Sequence, residues 1–152
     1  VLSDPNDFRA SEYLARPTCR ARLTTPFELT TGVSAAIPLD DTDLFDAFSL
    51  HVTGANTRIT ISVPGIYAVG GNATFAANAT GIRFLGTQIN GTAAVVGSVR
   101  VDAAAAGTTI LNVHGILNFV ANDYVELVAQ QTSGGPLNVT GAAMWAALVT
   151  KA

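Results

Sequence analysis

The chain has 152 residues, of which 49% are hydrophobic and only 12% charged, with a net charge of −3. Soluble domains usually carry roughly 25% charged residues. This composition excludes disorder, which needs low hydrophobicity and high net charge, and it argues against a basic nucleic-acid binder. Cys19 is the single cysteine, so a disulfide scaffold is excluded too. Apolar stretches are broken well before the ~20 residues a membrane helix needs. Val1-Leu2-Ser3-Asp4-Pro5 lacks the basic start and apolar run of a secretion signal. Neither a nucleic acid nor a membrane is expected as a partner.

Residues 1–24 hold Arg9, Arg16, Arg20 and Arg22, half of the eight basic residues. Phe8 to Leu14 can make one or two helical turns, which Pro17 stops. From Thr18 the chain alternates, with Cys19, Ala21 and Leu23 on one face and Thr18, Arg20, Arg22 and Thr24 on the other. That is the pattern of a half-buried strand. Phe27, Leu29 and Val33 continue in strand-like spacing. Pro38 to Asp46 reads as an acidic loop, flanked by the apolar anchors Phe45, Phe48 and Leu50.

Thr57 to Val63 alternates again, with Ile59, Ile61 and Val63 inward. Pro64-Gly65 predicts a turn in which glycine supplies a positive φ. Strands follow over Ile66–Ala76, Ile82–Ile89, Val95–Val101, Thr109–Phe119 and Tyr124–Ala129, and one or two more over Leu137–Val149. Turns separate them at Asn78–Gly81, Asn90-Gly91, Ala121–Asp123 and Ser133–Pro136. Asn90-Gly91 is a strong hairpin signal. Eight to ten strands at regular spacing and no long amphipathic helix predict a single all-β sandwich or barrel.

No catalytic constellation emerges. His51 lies beside the acidic run and His114 within a strand, where a packed or interface role is expected. No Gly-x-Ser-x-Gly elbow frames a nucleophile. Gly70-Gly71 and Gly134-Gly135 lack the lysine of a phosphate loop. Asp40, Asp41, Asp43 and Asp46 match no EF-hand spacing and read as a solvated loop. Cys19 reads as a small buried hydrophobe, and Trp145 as a core residue. Four Asn-x-Thr matches occur, at Asn72, Asn78, Asn90 and Asn138; at Asn78 and Asn90 the turn reading takes precedence. The chain is therefore not expected to be an enzyme or to carry a metal or cofactor.

The run from Ile59 to Ala77, with Val63-Pro64-Gly65-Ile66-Tyr67 at its centre, resembles the jelly-roll domains of the complement globular head and tumour necrosis factor superfamily. Asn78–Thr92, Leu111–Leu117 and Ala121–Ala129 are similar to later parts of that domain. Versions encoded by tailed bacteriophages are more similar still, through Arg16-Pro17-x-Cys19-Arg20, Phe75–Arg83 and Ser133–Val139. The resemblance spans residues 16–150. It implies a TNF-like jelly-roll β-sandwich over residues 18–152, a homotrimer, and a place on a virion.

Residues 1–17 precede that domain as a short basic arm, with Phe8, Arg9, Tyr13, Leu14 and Arg16 as candidate capsid-binding residues. The compact length favours a decoration (cement) protein on the capsid surface, partnered by the major capsid protein. The alternative is a tail or baseplate tip binding host-surface carbohydrate. Ala73, Ala77, Val113, Ile116, Ala142 and Ala146 look too numerous for one sandwich to hide, which also points to a trimer interface.

Overall fold

A computed structural model describes residues 16–92 and 97–152, with the backbone alone for 42–44. Eleven strands run β1 (Thr18–Leu23), β2 (Phe27–Leu29), β3 (Ala35–Ala36), β4 (Asp41–Asp46), β5 (Arg58–Thr60), β6 (Gly65–Phe75), β7 (Ile82–Ile89), β8 (Ser98–Asp102), β9 (Thr109–Phe119), β10 (Tyr124–Gln131) and β11 (Leu137–Lys151). A short 3-10 turn spans Thr53–Ala55. One sheet has the order β4-β1-β11-β6-β9, with β2 pairing the start of β11. The other has the order β3-β10-β7-β8, with β5 also pairing β10. All pairings are antiparallel. The expected jelly-roll sandwich is therefore the fold observed.

The core lies between the sheets. Cys19, Ala21 and Leu23 point inward as their alternation predicts, as do Ile59 and Ile61, while Val63 is half-buried. Tyr67 and Phe119 meet edge to face in the middle, their rings 5.8 Å apart. The Tyr67 hydroxyl donates to the Val63 carbonyl, which leaves no orphan phenol in the apolar layer. Asn90 and Gly91 both take positive φ, 53° and 71°, and close the predicted hairpin turn through Ile89 and Thr92.

Several expectations need correction. The acidic run is not a loop throughout, because Asp41–Asp46 forms β4 on the edge of the first sheet. The strand begun at Phe27 stops at Leu29, and Val33 lies exposed beyond a turn. The Thr57–Val63 strand shortens to Arg58–Thr60. The strand expected over 95–101 runs from Ser98 to Asp102, and residues 93–96 lie outside the described ones. Gly65 takes the expected positive φ, 155°, but opens β6 rather than a tight turn, and a Cβ there would also lie 2.3 Å from the Thr150 carbonyl oxygen. Of six residues expected to burden the surface, Ala73, Val113, Ala142 and Ala146 are buried in the sandwich itself, and Ala77 and Ile116 are exposed.

One end of the core is polar. Arg83 is 0% exposed, with no carboxylate among its hydrogen-bond partners. Its guanidinium donates to the carbonyls of Asn78, Thr80 and Ile82, tying down the 78–82 turn. Burial lowers its pKa. Gln131, its partner in register, donates to Leu29 and Gly135 and accepts from the Ser133 amide. Replacing Arg83 by Leu strands three carbonyls. It is expected to cost about 2–4 kcal/mol in urea unfolding, given that each unsatisfied buried group costs ~1–3 kcal/mol.

Candidate functional site

The alternation of the first sheet fixes what its outer face presents. Once β11 turns Ala142, Met144, Ala146 and Leu148 inward, Ala143, Trp145, Ala147 and Val149 must face out. Register then builds rows across the sheet. His114, Gly70, Trp145, Arg20 and Phe45 form the central row. Ile116, Ala68, Ala147 and Thr18 lie beside it. Asn112, Asn72, Ala143 and Arg22 lie on the other side, where Arg22 pairs with Asp41 at 2.9 Å.

Trp145 is thus half-buried on the outer face, not in the core. Gly70 permits this, because a Cβ there would come within 2.6 Å of the indole ring. His114 is exposed on this face, which removes the packed half of the expected packed-or-interface role. The face is rich in large apolar side chains. Ile110 is 61% and Ile116 69% exposed, and Ile66, Phe45 and Val149 join them. Among the described residues, every exposed large apolar residue that lies in a strand belongs to this sheet. The outer face of the second sheet instead carries Arg58, Glu126, Gln88, Gln130 and Arg100 around Phe84 and Val128. Exposed apolar side chains concentrated on one sheet, interleaved there with Asn, His and Arg, mark an interaction surface.

Asp40 and Asp41 are solvent-accessible as expected, but Asp40 and Asp46 also hold backbone amides. Asp40 accepts the amides of Thr24 and Thr25. Burial pushes its pKa up, but the hydrogen bonds from Thr24 and Thr25 outweigh it and hold the carboxyl at about 2. Asp46 accepts the amides of Leu50 and His51. These carboxylates are spent on backbone donors, and among the described residues no group of three His, Cys, Asp or Glu is placed to hold a metal. His51 is 4% exposed and its Nε2 lies 3.3 Å from the Asn56 carbonyl, so it is a loop-packing residue. Of the expected anchors beside this segment, Leu50 is core, while Phe45 and Phe48 are exposed.

Of the five arm residues, Phe8, Arg9, Tyr13 and Leu14 lie outside the described residues. Arg16 is exposed at the domain's rim, where Nη1 donates to the Val149 carbonyl at 3.1 Å. Sequence reasoning missed the carboxylate of Glu126, which faces outward from the second sheet yet is buried under Thr57 and Gln88, both hydrogen-bonded to it. The only legible signal was its place in an alternating strand with an acid opposite Arg58 and Gln88.

Two solved structures share this architecture. The globular domain of the zebrafish complement 1qA protein superposes with a TM-score of 0.68 at 15% identity, covering 90% of this chain and 99% of that one. The Eiger TNF from S. frugiperda superposes with a TM-score of 0.62 at 10% identity, covering 90% and 96%. No family model matches the chain, and no curated protein matches it. At these identities the likeness is one of fold. The class is a C1q- and TNF-like jelly-roll sandwich.

Cys19 is fully buried. Burial first, and then the neighbouring Asp46 carboxylate, push its thiol up to about 12, with the His51 amide acting in the opposite sense. It should resist a thiol reagent at pH 8 in the native state and label completely in urea. Rapid labelling of the folded protein contradicts this environment.

Proposed function

We propose that the chain is a homotrimeric structural protein of a virion that decorates the capsid surface, with residues 1–17 gripping the major capsid protein. The observation that carries the proposal is the one-sided apolar face of the first sheet. A monomer leaves Ile110, Ile116, Ile66 and Val149 in water, whereas obligate interfaces bury such surface much as a core does. The fold supports self-association. The bacteriophage-like phrases around Arg16–Arg20, Phe75–Arg83 and Ser133–Val139 support the virion. Basic residues in the arm suit an acidic neighbouring surface and would steer it into register. A protein that binds only the assembled shell stabilises that shell by mass action. The carbohydrate-binding tail tip gains nothing from Trp145, which sits in the middle of the apolar face.

Two measurements test this. Sedimentation equilibrium should return three times the chain mass of 15.6 kDa, and Ile116→Glu should shift it to the single-chain mass, since a desolvated charge without a partner opposes association. A monomeric parent protein overturns the trimer. Deleting residues 1–16 should leave the trimer intact and abolish cosedimentation with capsids; equal binding by the truncated trimer overturns the arm.

A further inference from the structure

On the side of the molecule away from the apolar face, the second sheet has a hole in its side-chain layer. Outward positions along β7 are Ile82, Phe84, Gly86 and Gln88, and Gly86 has no side chain to contribute. Its neighbours in register are Ser98 on β8 and Val128 on β10. Phe84 folds toward the gap, so that a Cβ on Gly86 would lie 2.9 Å from its ring. The result is a small well of about 190 Å³ lined by Phe84, Gly86, Val128, Ser34, Ser98 and Gln88.

The lining has two chemical characters. Phe84 and Val128 form an apolar wall. Ser34 and Ser98 supply hydroxyls at the rim, and Gln88 supplies a carboxamide. The Gln88 amide nitrogen donates to Glu126 at 2.6 Å, and Glu126 in turn takes the Thr57 hydroxyl at 2.7 Å. That chain fixes the Gln88 side chain and leaves its Oε1 as an acceptor. The Arg100 guanidinium lies over the Phe84 ring, 5.7 Å from its centroid, and steadies it.

We infer that this well binds one neutral pyranose ring of a glycan. A pyranose has a face of C–H groups that stacks on an aromatic ring, and hydroxyls around its edge. That matches an apolar wall with a rim of hydroxyls and one oriented amide oxygen. None of the lining side chains is charged, and Arg100 stands beside the well over the Phe84 ring. The volume suits a single sugar ring, being smaller than the ~300–1,000 Å³ of pockets for drug-sized ligands. The well is complete within one chain and does not depend on the proposed trimer. If the trimer forms through the opposite face, three wells point outward, and a branched or repeating glycan binds with avidity.

The test is a ¹⁵N–¹H titration of the full chain with the methyl glycosides of glucose, galactose, mannose and N-acetylglucosamine. At least one should shift amide signals of Gly86, Thr87 and Ser98 together and saturate with a Kd of about 1–10 mM, the range of a single weak contact set. Ser98→Phe fills the well from an exposed position and should abolish those shifts. Phe84→Leu keeps the wall apolar but removes the aromatic face, and should weaken binding about tenfold. If none of the four glycosides produces clustered shifts, or if the shifts persist unchanged in Ser98→Phe, the inference is overturned. Ser98→Phe alone decides the matter if Phe84→Leu does not fold. The readout is the same for monomer and trimer, so failure here is distinct from failure of the proposed assembly.

Discussion

The strand Leu137–Lys151 is hydrogen-bonded along both edges, to β2 and β1 on one side and β6 on the other. It carries a register break between Val139 and Gly141. A bulge adds one residue and so exchanges the two faces of everything that follows. Val139 points inward, and without the extra residue the inward set would continue through Gly141, Ala143 and Trp145. With it, the inward set is Ala142, Met144, Ala146 and Leu148, packed against Cys19, Ala21 and Leu23 of β1 and Val69 and Ala73 of β6. The outward set becomes Ala143, Trp145, Ala147 and Val149. The inward and outward sets of β11 from Ala142 to Leu148 follow from that backbone irregularity; a second register shift, between Leu148 and Thr150, lies at Val149.

Small residues let this strand sit close to its neighbours. Gly70 lies beneath the Trp145 indole, and Gly71 faces the Ala143 carbonyl and Leu127, with no room at either for a Cβ. Sequence reading placed this glycine pair only as a failed phosphate loop. Their purpose is steric: Gly70 makes room for the Trp145 ring on the outer face, and Gly71 for Leu127 on the inner one.

What was legible in the sequence followed from local chemistry. Alternation of Cys19, Ala21 and Leu23 against arginines fixed the face of β1, and Asn90-Gly91 fixed the hairpin turn, because each signal is complete within a few residues. The faces of β7 were not legible. Ile82 and Phe84 compete with Leu85 and Ile89 for the inside, and the structure turns Arg83, Leu85, Thr87 and Ile89 inward. A buried arginine becomes tolerable only because the 78–82 turn folds back to offer three carbonyls, a long-range arrangement no spacing rule announces. The same holds for Asp40 and Asp46. Within a run of four aspartates nothing local singles these two out, until the amides of Thr24 and Thr25 come round to Asp40 and those of Leu50 and His51 to Asp46. The bulge in β11 was equally silent, and Trp145 was misplaced with it.

The scarcity of charge then has a physical account that differs between the two outer faces. Apart from the buried Arg83, the second sheet holds Arg58 over the Tyr124 ring, Arg100 over Phe84, and Glu126 under Thr57 and Gln88 on its outer face. Its one vacancy, at Gly86, is rimmed by neutral polar groups. The first sheet holds the Arg22–Asp41 pair and Arg20 on its β1–β4 side, with Glu28 and Lys151 exposed at strand positions elsewhere, and leaves the far edge strand β9 with Ile110, Asn112, His114, Ile116 and Asn118 along its outer face. Gly97 approaches the β9 backbone at His114, but a long edge strand without lysine or proline is a liability in a monomer. It ceases to be one when another copy covers it, which is the assembly the low charge permits and a more highly charged surface would oppose.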